Sequence, residues 1–114
     1  MGEYAADRGL PVLTHTWHTS PYDDPEVVDA VLVRHPGVRL ILGHSGVSPA
    51  GMAASVPVVR RHPAAYLEVC GSSMTGPLVR WLVEQVGAPA GCCSAPTFRS
   101  STSECRLGGW WVPG

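Results

Sequence analysis

A chain of 114 residues holds one domain or part of one. Eight basic residues, every one an arginine, face nine acidic ones, for a formal net charge of −1. This balance gives no argument for nucleic acid or an anionic membrane as partner. No apolar run nears the roughly 18 residues of a membrane-spanning helix. The opening MGEYAADRGLPV lacks the basic-then-apolar shape of a signal peptide, so the cytoplasm is the expected compartment.

Residues 2–8, GEYAADR, read as closing helical turns, with Gly9 as the stop. Residues 10–15, LPVLTH, are a short apolar run with proline near its start, where a strand tolerates it. A polar loop, TWHTSPYDD, follows. Asp24 fits an N-cap, Pro25 the first helical position and Glu26 the first turn. Val27, Val28, Val31 and Leu32 then recur at helical spacing, predicting a helix over about 24–35. Residues 38–43 read as a second strand with His44-Ser45-Gly46 as its exit loop. Residues 50–62 read as a second helix, weakened by Pro57. Residues 64–70, AAYLEVC, read as a third strand, and 75–86 as a third helix with Leu78, Val79, Leu82, Val83 and Val86 on one face.

The pattern repeats every 26 to 29 residues: Arg34-His35-Pro36-Gly37 precedes the second strand and Arg61-His62-Pro63-Ala64 the third. Strand and helix alternating at this period give βα units and a parallel sheet. The period suits a doubly wound sheet or a (β/α)8 barrel, and a barrel needs about 250 residues. The expected fold is therefore α/β and part of something larger.

In both architectures functional residues gather where strands end and loops begin. His15 ends the first strand, and His44 ends the second one repeat later. Two imidazoles on equivalent ends of neighbouring parallel strands converge on one site. Neutral imidazole is a good ligand for a divalent metal and can serve as a general base. His18, three residues beyond His15, either reaches the same site or is a solvated loop residue. Trp17 either walls a substrate pocket or anchors its loop. His35 and His62 stand at helix C-termini, where capping accounts for them. N-capping accounts for Asp23 and Asp24, and packing for Cys70. Glu68, within a strand, stays open. The four cysteines, without an export signal, read as free thiols, and no C-x-x-C pair supports a zinc module.

At GLPVLTHTW and RHPGVRLILGHSG the chain resembles the amidohydrolase-related family of metal-dependent (β/α)8-barrel enzymes, with RHPAAYLEVCGS and LVRWLVEQVGA continuing the likeness. The resemblance covers residues 2 to about 88 and corresponds to about strands five to seven of the barrel. It implies that His15 is a metal ligand and that His44 sits at the metal centre as ligand or acid/base group. It implies a divalent metal, with Zn²⁺ expected, and a small-molecule substrate, for which Trp17 and His18 are candidate contacts by their place in the loop after the first strand. The family's first-strand His-x-His pair has no counterpart here. Its eighth-strand Asp is due directly after Val86-Gly87-Ala88.

An irregular stretch stands there instead, rich in Cys, Ser and Trp. Read one base over, from the third base of codon 90, its codons can spell R-V-L-F-G-T-D-F-P, the phrase the family's eighth strand resembles. Cys92-Cys93 forces the leucine, and Pro96-Thr97 can supply the aspartate. Residues 1–88 are thus expected to form a partial barrel and 89–114 an out-of-frame tail, after a one-base loss near codons 89–90. The expected activity is metal-assisted hydrolysis. The alternatives are metal-dependent, non-oxidative decarboxylation within the same family, and an inactive fragment or metal-binding module without catalysis.

Overall fold

The computed structural model describes residues 2–72 and 74–86, together with the backbone of a two-residue strand at Cys92–Cys93. The rest of the expected out-of-frame tail lies outside the described residues. The elements run α1 (Gly2–Asp7), β1 (Pro11–His15), α2 (Pro25–Arg34), β2 (Arg39–Gly43), α3 (Pro49–Arg61), β3 (Ala65–Glu68), α4 (Gly76–Val86) and β4 (Cys92–Cys93). A tight turn over His44–Gly46 follows β2.

Local chemistry sets these boundaries. The carboxylate of Asp24 caps α2 by accepting the N–H of Glu26 at 2.9 Å, with Pro25 in the first helical position, where its missing donor costs nothing. Ser48 caps α3 in the same way, accepting from the N–H of Gly51 at 3.0 Å. His35 and His62 close α2 and α3 as C-caps. Helix α3 runs unbroken through Pro57, which the sequence pattern treats as an interruption. Pro57 is exposed, so the Ala53 carbonyl it leaves without a partner can turn to water. Strand β3 stops at Glu68, two residues short of the expected end, and Val69 and Cys70 peel away towards the turn after β2.

The strands are all parallel, in the order β1-β2-β3-β4. Right-handed crossovers between strands in sequential order place every helix on the same face. A doubly wound sheet reverses its order and covers both faces. The sequential order is that of a (β/α)8 barrel arc, and the described sheet is open. One face of β1 to β3 packs Leu40, Leu42, Ala65 and Leu67 into a core with Leu32, Met52, Val58 and Leu82 from the helices. The opposite face carries Leu13, which is 65% exposed, in register with Ile41, itself in register with Tyr66. Among the described residues, no helix is long and apolar enough to cross a membrane.

Two outcomes follow from this packing. Leu67 is fully buried between sheet and helices, so Leu67→Ala is expected to lower unfolding free energy by roughly 2–5 kcal/mol in urea titrations. Asp24→Ala removes the α2 cap and is expected to cost about 1 kcal/mol near neutral pH. Hydrogen bonds, first from the N–H of Glu26, hold the Asp24 carboxyl below the ordinary carboxylate range. Its contribution is therefore present above that range and lost as pH falls through the folded-state value, so the two proteins converge in stability in acid.

Candidate metal centre

His15 is the last residue of β1 and pairs in register with Gly43, the last residue of β2; His44 is the next residue. This offset brings the two imidazoles together at the C-terminal edge of the sheet. Their ring centroids lie 4.9 Å apart, with the planes at 69°. Trp17 also stacks on His15, with centroids 6.0 Å apart and planes at 17°.

The backbone around His44 is strained. His44 has φ 61°, Ser45 φ 50° and Val47 φ 70°, all in the left-handed region that non-glycine residues avoid, at a cost on the order of 1–3 kcal/mol each. Hydrogen bonds from two neighbouring segments offset this cost. Glu68 accepts the N–H of His44 with its carboxylate at 2.9 Å and the hydroxyl of Ser45 with its backbone carbonyl at 2.8 Å. The fully buried Thr16 accepts the N–H of Gly46 at 2.7 Å and donates its hydroxyl to the carbonyl of Gly43 at 2.7 Å. Gly46, at φ 90°, lies against Gly51 in the first turn of α3, and a Cβ on Gly46 would stand only 2.5 Å from that backbone. The turn is thus pressed between the loop after β1, the end of β3 and the start of α3.

These contacts also settle which ring nitrogen is available. Nδ1 of His44 lies 2.7 Å from the backbone carbonyl oxygen of Cys70. A carbonyl only accepts, so Nδ1 carries the proton and the neutral ring has its lone pair on Nε2. Nδ1 of His15 lies 2.9 Å from the Asp23 carboxylate. Hydrogen bonds from the Ser20 side chain and then from His15 hold that carboxyl below the ordinary carboxylate range. It is ionised and accepting at neutral pH, which places the free lone pair of His15 on Nε2 as well. Among the described residues neither Nε2 has a hydrogen-bond partner.

The two histidines line a cavity of about 180 Å³ with Trp17, Val47, Cys70, Gly71, Ser72 and Met74. His18 is not among the lining residues, and its Nδ1 is tied to Asp24 at 3.0 Å. A second cavity, of about 200 Å³, lies between β1 and α2 and is lined mainly by aliphatic side chains.

His44, Glu68 and Cys70 bring three ligand-type atoms within 4.8 Å of one another. Nδ1 of His44 already donates to the Cys70 carbonyl. Burial, and then the neighbouring Glu68 carboxylate, push the Cys70 thiol up in the absence of an ion. Through the bonds of His44 and Ser45 to Glu68 and Cys70, the end of β3 also forms a scaffold behind His44.

Sequence reasoning brought His15 and His44 together through their equivalent places in the repeat. For Asp23 the sequence pattern offers only a helix cap. The structure gives that task to Asp24 alone and turns Asp23 onto His15. Nothing in two adjacent aspartates signals which one faces the loop. The signal for Glu68 was present, a carboxylate in an otherwise apolar strand, but its use depends on where β3 ends.

No curated protein matches the chain. A solved structure described as amidohydrolase 2 from Bifidobacterium longum subsp. infantis is similar in fold, with a TM-score of 0.64 at 20% identity. The match takes in 82% of this chain and 37% of that one, so the chain spans little more than a third of that protein. A family model described as amidohydrolase matches residues 2–95. That match covers most of the sequence and both histidine-bearing strand ends, and the chain therefore belongs to the amidohydrolase family.

Proposed function

We propose that His15 and His44 belong to a divalent-metal centre for hydrolysis of a small-molecule substrate. The observation that carries this reading is the pair of imidazoles 4.9 Å apart at one cavity, each with Nδ1 engaged and with no partner for Nε2 among the described residues. The donor set fits the metal: a histidine ligand normally gives its other ring nitrogen to a carboxylate or a carbonyl, and both arrangements occur here. When bound, a divalent ion such as Zn²⁺ polarises a carbonyl and lowers the pKa of bound water.

The chain's own residues have distinct tasks. His15 presents Nε2 as a ligand and is oriented by Asp23. His44 presents Nε2 to the ion as a second ligand; in the alternative role, moving a proton between water and substrate, its loss would leave zinc binding intact. Trp17, half exposed and stacked on His15, forms a flat apolar wall for the substrate. His18, whose Nδ1 lies 3.0 Å from the Asp24 carboxylate, is a further candidate substrate contact from the same loop. The family description agrees with hydrolysis, and metal-dependent, non-oxidative decarboxylation is the alternative that the same donor pair could serve.

Isothermal titration of the full chain with Zn²⁺ tests the reading. Wild type is expected to bind one ion, and His15→Ala and His44→Ala each to abolish detectable binding. Asp23→Ala is expected to weaken affinity by roughly 10- to 100-fold through loss of ring orientation. Unchanged affinity in His15→Ala would contradict the assignment.

A further inference from the structure

Glu68 is the last residue of β3, with a side chain only 12% exposed. A carboxylate so placed needs donors. It finds one in the N–H of His44, at 2.9 Å, and its own backbone carbonyl takes the hydroxyl of Ser45 at 2.8 Å. One residue therefore meets two donors from consecutive left-handed positions, at φ 61° and φ 50°. The nearest approach of the carboxylate to Nδ1 of His44 is 3.9 Å, too long for a hydrogen bond. The ring bonds to the carbonyl of Cys70, two residues beyond Glu68, at 2.7 Å. Glu68 thus acts on the backbone of His44 and leaves the ring to its neighbour.

We propose that Glu68 is a positioning residue for His44. Its carboxylate holds His44 in the left-handed conformation that brings Nδ1 onto the Cys70 carbonyl, and this bond leaves Nε2 bare at the cavity. A charged acceptor suits the task because its bond to a backbone N–H is stronger than one to a neutral oxygen. The inference deepens the proposed metal centre and rests on it for its functional meaning. The geometry it describes can be tested without the metal.

The test is nuclear magnetic resonance on the full chain, reading amide exchange at His44 and the ¹⁵N signature of its ring. Wild type is expected to show a protected His44 amide and a proton on Nδ1. Glu68→Leu keeps bulk without an acceptor and is expected to lose at least about tenfold of that protection, with the ring becoming a mixture of tautomers. Glu68→Gln keeps an oxygen acceptor and is expected to show intermediate protection and the wild-type tautomer. Protected amides at Leu42 and Leu67 report that each variant is folded. The proposal is overturned if folded Glu68→Leu keeps wild-type protection and tautomer. If Glu68→Leu does not fold, Glu68→Gln decides: faster exchange at His44 alone supports the proposal, and no change overturns it. Adding Zn²⁺ to wild type separates the two readings. A ring that ignores the ion removes the metal centre while leaving the positioning result to stand or fall on the exchange data.

Discussion

The hydrogen bond from Nδ1 of His44 to the carbonyl of Cys70 ties the end of one βα unit to the end of the next. It requires β3 to release its pairing at Glu68 so that the Cys70 carbonyl can turn back towards β2. It also requires the turn after β2 to adopt φ values that only surrounding contacts can hold. Thr16, Glu68 and the Gly46–Gly51 contact supply those, each from a different segment. The site's geometry is thus a property of three neighbouring units, and none of them could fix it alone.

The sheet makes such cooperation available. Parallel strands in sequential order end at one edge, so the loops after β1, β2 and β3 meet there. Helices on one face anchor the strands through a core of Leu32, Leu42, Met52, Leu67 and Leu82. The opposite face keeps Leu13 largely exposed, as an arc of a barrel does on its inner side. Stability and chemistry are separated: the aliphatic layer between sheet and helices sets the first, and the strand ends carry the second.

Much of this was legible in the sequence, for physical reasons. Helical spacing of Val28 and Leu32 and of Val79, Leu82 and Val83 fixes which faces are buried. The repeated Arg-His-Pro segments mark where each helix gives way to a strand. Equivalent placement in that repeat was enough to pair His15 with His44. What escaped depends on backbone conformation. No sequence pattern reports that His44, Ser45 and Val47 are left-handed, because none of them is glycine. Asp23 and Asp24 are identical in type and adjacent, yet one caps a helix and the other orients an imidazole. Pro57 lies on the solvent side of α3, and the helix passes through it because its lost hydrogen bond is exposed.

The central claim concerns which atoms bind metal, and X-ray absorption on the zinc-loaded full chain tests it most directly. Two imidazoles through Nε2, completed by oxygen, predict a first shell of nitrogen and oxygen scatterers at about 2.0–2.1 Å, with the outer-shell pattern of histidine rings. A sulfur scatterer at about 2.3 Å would place the ion on Cys70, in the trio with Glu68 and His44, and would contradict the account.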